Sequence, residues 1–242
     1  MNKFLPNTNH EIRLARAKML QSIRAYFLSQ NVLEVETPAL SQSGNTDAFI
    51  DSIKTDEARY LHTSPEYPMK RLLAAGSGDI YQICKVWRAS ESGKKHNPEF
   101  SLLEWYRVGL SYHQLMQEVN DLLHYLLKPV LTNTAITTQY FSYAQLFLEK
   151  FSINPHITSK AELVTCVEAK IPSLDSKNLD QQALLDALLT HCIEPELDPN
   201  CLTFIYDYPA SQSALSQLRK EGDYSVAERF YSRCHRSYIS WT

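Results

Sequence analysis

Apolar residues Ile12, Ala15, Met19, Ile23, Tyr26 and Phe27 recur at helical spacing, which predicts an amphipathic helix over residues 10–30. NVLEVETP (31–38) then alternates and stops at Pro38, which cannot donate to a ladder, so it reads as a short strand. TDAFIDSI (46–53) reads as another. Ser64-Pro65 opens a helix with Pro at the first helical position and Glu66 in the first turn, and its apolar face is Met69, Leu72 and Leu73. IYQICKVWR (80–88) and EFSLLEWYRVG (99–109) read as strands. Gly93 and Pro98 in the segment between them predict an antiparallel hairpin. A helix follows over 111–128, with Leu115, Val119, Leu122, Leu123 and Leu126 on one side. Residues 140–195 are helix-rich, with a clear stripe over 181–193. CLTFIYDYP (201–209) has the pattern of a buried strand, and a further strand is expected near 223–230. Helices interleaved with mainly antiparallel strands predict an α+β fold, and no domain boundary stands out.

Composition narrows the function classes. The 242 residues are 44% hydrophobic and 21% charged, an ordinary globular profile, and the formal charge of −3 lacks a nucleic-acid binder's basic footprint. Only six glycines occur, and GSGD (76–79) is the one Gly-x-Gly, without the rest of a dinucleotide or P-loop motif. Cys84, Cys166, Cys192, Cys201 and Cys234 share no regular spacing, so reduced thiols are expected rather than disulfides or a zinc site. No apolar run approaches membrane-spanning length, and MNKFLPNTNHEIRLARAKML carries no signal-peptide pattern. A soluble cytoplasmic protein is expected.

The candidate chemistry lies in RASESGKKHNPEFSLLEWYR (88–107). Period two puts Phe100, Leu102, Glu104 and Tyr106 on one strand face. A carboxylate and a phenol two residues apart can converge on one ammonium group. A wet face on an edge strand explains the same pair equally well. Arg88 enters the loop where its fork could hold a phosphate bidentately, and Phe100 offers a flat face for a base. Lys94, Lys95 and His96 could add positive charge for a polyphosphate tail, although a solvated loop tip accounts for each lysine taken singly. In HTSPE (62–66), Glu66 could pair with an amine, and Ser64 could simply cap the helix.

These stretches together resemble the class II aminoacyl-tRNA synthetases. NVLEVETPAL is similar to their motif 1, with Pro38 as its proline, and WRASESGKKHNPEFSLLEWYR to motif 2 as found in lysyl-tRNA synthetases. HTSPEYPMKRLLAAG is similar to the amino-acid-binding segment of that group. With DYPASQSALS and VAERF, the resemblance is strongest to the elongation factor P (R)-β-lysine ligase family and covers about residues 1–230. It implies ATP-dependent activation of lysine or β-lysine as an adenylate, and transfer to a lysine of elongation factor P. It implies ATP held by Arg88, Ser90, Glu91, His96, Asn97 and Phe100, with Arg88 catalytic at the α-phosphate. It implies substrate contacts from Ser64, Glu66, Glu104 and Tyr106, and a homodimer interface at Pro38 and the first helix. The chain starts at the core, without the OB-fold that precedes it in lysyl-tRNA synthetases, and its charge is near neutral. A protein acceptor is therefore expected and tRNA is not.

Two departures qualify this. The acid expected two residues after Arg88 is Ser90, with Glu91 next. After VAERF the family continues toward motif 3, whereas this chain reads YSRCHRSYISWT. The expectation is an incomplete catalytic domain over 1–230 and a tail over 231–242 outside the family pattern, read as frame-shifted or otherwise truncated. The Mg²⁺ acids would lie in the missing part, so no metal ligand is expected in this chain. The alternative class of function is a non-catalytic remnant that folds, dimerises or binds nucleotide without turnover. A weaker alternative is aminoacylation of tRNA.

Overall fold

The structure, a computed structural model, describes residues 8–47, 50–89, 93, 96–129, 136–234 and 237–239. Ser90, Glu91, Lys94 and Lys95 lie outside the described residues. The chain divides into two compact units, Met1–Leu110 and Ser111–Thr242, a division the sequence pattern did not announce.

The first unit opens with helix α1 (His10–Ser29), started by Asn9, whose side chain accepts from the Ile12 N–H at 2.9 Å. It ends where Asn31 takes a left-handed conformation (φ 56°) that a short amide side chain tolerates. Of the predicted stripe only Ile23 and Phe27 are buried, and Ile12, Ala15 and Met19 stay exposed. The strand expected over 31–38 shrinks to β1 (Leu33–Glu34), followed by β2 (Leu40–Ser41) and β3 (Tyr60–Leu61). The described part of 46–53 forms no strand, and Lys54 makes only an isolated bridge to Tyr60. Helix α2 (Glu66–Ala74) begins one residue later than expected, with Pro65 (φ −80°, ψ 10°) at the cap rather than inside the first turn.

The hairpin is formed as expected. β4 (Ile80–Trp87) and β5 (Glu99–Tyr106) pair antiparallel from Ile80↔Tyr106 to Trp87↔Glu99, and β1 adds parallel to β4. One face carries Tyr81 and Trp105, and α1 covers it. Phe27 stacks on Tyr81 at 4.4 Å and meets Trp105 edge-on at 5.4 Å. At the rim, Arg24 pairs with Glu34 at 3.0 Å, and the Tyr81 hydroxyl donates to Glu34 at 2.9 Å. Burial and that carboxylate push the phenol up to about 12.

The second unit holds α3 (Tyr112–Leu127), β6 (Thr137–Ser142), α4 (Tyr143–Phe151), α5 (Lys160–Lys170), α6 (Gln181–Leu188), a π turn (Leu189–Ile193), β7 (Cys201–Pro209), β8 (Leu218–Glu221), β9 (Tyr224–Cys234) and β10 (Ser237–Ile239). Ser111 and Ser159 cap α3 and α5 with full capping boxes. The sheet order is β10-β9-β7-β6, with β8 beside β9. β6 is parallel to β7 and the other pairs are antiparallel. One buried cluster joins Tyr143, Phe147, Leu163, Leu184 and Leu188 of the helices to Ile205, Tyr208 and Ala227 of the sheet.

Ile205 and Tyr208 are three residues apart, so a regular strand would point them to opposite faces. The register shifts between Tyr206 and Tyr208, and Asp207 there is left-handed (φ 57°), which brings both residues into the cluster. The Asp207 carboxylate is fixed by the Tyr112 hydroxyl at 2.6 Å and by Arg219 at 3.0 Å.

β9 does not stop at Phe230. Tyr231, Ser232 and Arg233 pair with Ile205, Phe204 and Thr203, so the polar sequence after Phe230 enters the sheet despite lacking apolar alternation. Arg233 is tolerated because Glu194 meets it at 2.5 Å.

Candidate active site

The face of the hairpin away from α1 carries Ile80, Gln82, Cys84 and Val86 from β4 and Tyr106, Glu104, Leu102 and Phe100 from β5. Glu104 is its chemical centre. The Ser64 hydroxyl donates to Glu104 Oε2 at 2.6 Å, and the Tyr106 hydroxyl donates to Oε1 at 2.7 Å. Ser64 also accepts from the Glu66 N–H at 3.0 Å, so one hydroxyl tethers the acid to the start of α2, although the cap of that helix is Pro65 and not Ser64. Burial raises the Glu104 carboxyl above its ordinary value. The two hydroxyls pull it down, Glu66 pushes it up and Lys70 pulls it down. The Tyr106 phenol is pushed far up by burial and by Glu104, which keeps it a donor.

Arg88 and Phe100 form the other end. The Arg88 guanidinium lies 5.1 Å over the Phe100 ring, and its backbone N–H donates to Pro98 O at 2.9 Å, closing the hairpin above the ladder. Four residues of extended strand separate Phe100 from Glu104, roughly 13 Å, enough for an elongated ligand. His96 and Asn97 lie in the exposed loop, where His96 exchanges backbone hydrogen bonds with Gly93.

Sequence reasoning missed Gln82 and Cys84. Gln82 sits directly across from Glu104, is buried, and accepts from the Thr37 hydroxyl at 2.9 Å. Cys84 lies on the same face, and burial together with Glu104 pushes its thiol up to about 11, so it is a protonated wall rather than a nucleophile. The signal was present. Applying the hairpin's register to the first strand sets a polar Gln in an otherwise apolar row.

A hydroxyl-tethered, half-buried carboxylate, an aromatic face and a guanidinium thus lie along one hairpin face. Residues 3–235 match the family of tRNA synthetases class II (D, K and N). This chain belongs to that family. It thereby stands among the ATP-dependent amino-acid ligases of the class II synthetase type. It is 43% identical over 235 residues to the elongation factor P–(R)-β-lysine ligase of Histophilus somni (strain 2336), covering 93% of this chain and 70% of that protein. The ligases of the same name from Pasteurella multocida (strain Pm70) and Vibrio vulnificus (strain YJ016) are 42% and 41% identical, over 93% of this chain and 70% and 71% of theirs. The family match reaches residue 235, past the Phe230 boundary expected from the sequence.

The class II framework sets what the remaining groups can hold. Phe100 and Arg88 suit a purine and a phosphate. Among the described residues no group of three or more His, Cys, Asp or Glu side chains is placed to hold a metal ion. Cys84, Cys166, Cys192 and Cys201 are free. Among the described residues no helix is long and apolar enough to cross a membrane.

Proposed function

We propose that this class II synthetase chain activates lysine or β-lysine with ATP and passes it to a lysine side chain of elongation factor P, as the names of its ligase relatives suggest. The observation that carries the reading is Glu104: a half-buried carboxylate whose hydrogen bonds, among the described residues, come from two neutral hydroxyls, leaving its charge for an incoming ammonium.

In this reading the substrate's distal ammonium meets Glu104 and Tyr106, and its second amine meets Glu66 beside Ser64. The substrate carboxylate then attacks the α-phosphorus of ATP at the Arg88 end. The bond to pyrophosphate breaks and an acyl-adenylate forms. The acceptor lysine, as a free amine, attacks the acyl carbon and releases AMP. No side-chain nucleophile takes part, and catalysis is positioning and charge stabilisation, with Arg88 neutralising the developing phosphate charge. Ser90, Glu91, His96 and Asn97 belong to the ATP loop in this reading, and Ser90 weakens it by replacing an acid. Pro38 and the exposed face of α1 form the contact with a second copy of the chain.

Amino-acid-dependent ATP–pyrophosphate exchange, with α-lysine and β-lysine in parallel, tests the proposal. Exchange that vanishes in Arg88→Ala supports it, and the better isomer names the substrate. A folded, soluble chain with no exchange overturns it and supports the binding-only alternative.

A further inference from the structure

Lys70 lies one helical turn after Glu66 on α2, and its ammonium meets the Glu66 carboxylate at 2.5 Å. A Glu–Lys pair at this spacing is common on exposed helix faces and by itself implies nothing. Its location is what distinguishes this one. Glu66 donates its backbone N–H to the Ser64 hydroxyl, and that hydroxyl donates to Glu104. One hydroxyl therefore links the Glu104 carboxylate to the backbone of the first residue of α2, whose own carboxylate holds the Lys70 ammonium. Both Glu66 and Lys70 act on the Glu104 carboxyl, in opposite directions. With both acids ionised, this end of the pocket carries two negative charges and one resident positive charge.

We propose that Lys70 is a resident counter-ion of the amine end, released from Glu66 when a second ammonium enters. This rests on the reading of Glu104 and Glu66 as the amine-binding acids. A ligand with one ammonium matches the net single negative charge and leaves the Lys70–Glu66 pair in place. A ligand with two must break that pair and send the Lys70 ammonium to solvent. The Lys70 side chain is about half exposed, and its flexible stem allows the swing. Lys70 thus sets how strongly the pocket prefers diamino over monoamino acids. It is a specificity determinant that touches no reacting atom.

The test is calorimetric binding of L-lysine and of 6-aminohexanoate, which differ only in the second amine, to the full chain. The proteins are wild type, Lys70→Met, which keeps an apolar stem without the charge, and Glu104→Gln. In Lys70→Met the preference for lysine over 6-aminohexanoate rises about 3- to 10-fold, and the gain shrinks as salt is added. An unchanged preference, or one that falls because Lys70 was holding Glu66 in place, overturns the proposal. A merely structural role would weaken both ligands alike. If neither ligand binds wild type, or binding ignores Glu104→Gln, the amine reading fails and the proposal fails with it. Binding that depends on Glu104 with an unchanged preference sinks the proposal alone.

Discussion

Glu104 gives the site its sharpest test because its two roles oppose each other. Burial holds its carboxyl above the ordinary value, so the folded state binds that proton more tightly than the unfolded chain does. Its contribution to stability is complete below the unfolded pKa and is lost as pH rises through the raised folded value. Glu104→Gln removes the ionisation but keeps an oxygen to accept from Ser64 or Tyr106. The variant should melt no lower than wild type at pH 7, with the two curves converging at acid pH. Its lysine affinity should nevertheless fall by at least about 30-fold, the cost of leaving a buried ammonium without its carboxylate. Thermal melts from pH 4 to 8, with calorimetry at pH 7, read both effects. A variant that binds lysine normally removes Glu104 from the site. In wild type, lysine binding should weaken as the pH falls through the Glu104 pKa.

The hairpin and the β7 bulge show how far elements could be read from sequence. Strand alternation and the Gly93-Pro98 signals were enough for β4, β5 and their antiparallel pairing, and therefore for placing Phe100, Glu104 and Tyr106 on one face. Gln82 escaped because strand identity was read without register. The bulge escaped because DYP reads as the end of a strand, while nothing local announces that Asp207 adopts φ 57° and rotates Tyr208 into the cluster. That rotation depends on Tyr112 and Arg219, which are distant in sequence. Asp207→Ala should therefore cost about 2 kcal/mol, from lost charge-assisted hydrogen bonds and a left-handed residue without a side chain to fix it. Asp207→Asn keeps one acceptor oxygen and the left-handed tolerance and should recover more than half of this. Urea unfolding of both variants checks the order, and equal losses would mean that the charge of the carboxylate, not its acceptor oxygen or the left-handed tolerance, holds the bulge in place.

At the scale of the molecule, the first helix was legible as a helix but not as a surface. The apolar spacing predicted its extent and its apolar side, yet its apolar packing on the hairpin comes from its C-terminal turns, through Phe27 on Tyr81 and Trp105, while Arg16 reaches β5 only by a polar contact with Ser101. Ile12 and Met19 remain 55% and 44% exposed, and Leu33, Leu40 and Pro38 are exposed in the same unit. An apolar stripe predicts burial without saying against what, and a second copy of the chain is the occupant the dimer reading assigns. Covering one Ile or Met side chain contributes roughly 1.5–3 kcal/mol. Replacing Ile12 and Met19 together with Asp should then weaken self-association by at least about 100-fold while leaving the hairpin packing intact, since neither residue is buried within the chain. Light scattering across a concentration series should give a dimer for wild type and a monomer for the double variant, with unchanged far-ultraviolet circular dichroism. A wild-type chain that stays monomeric at tens of micromolar would reject the dimer, and the exposed stripe would then need another partner.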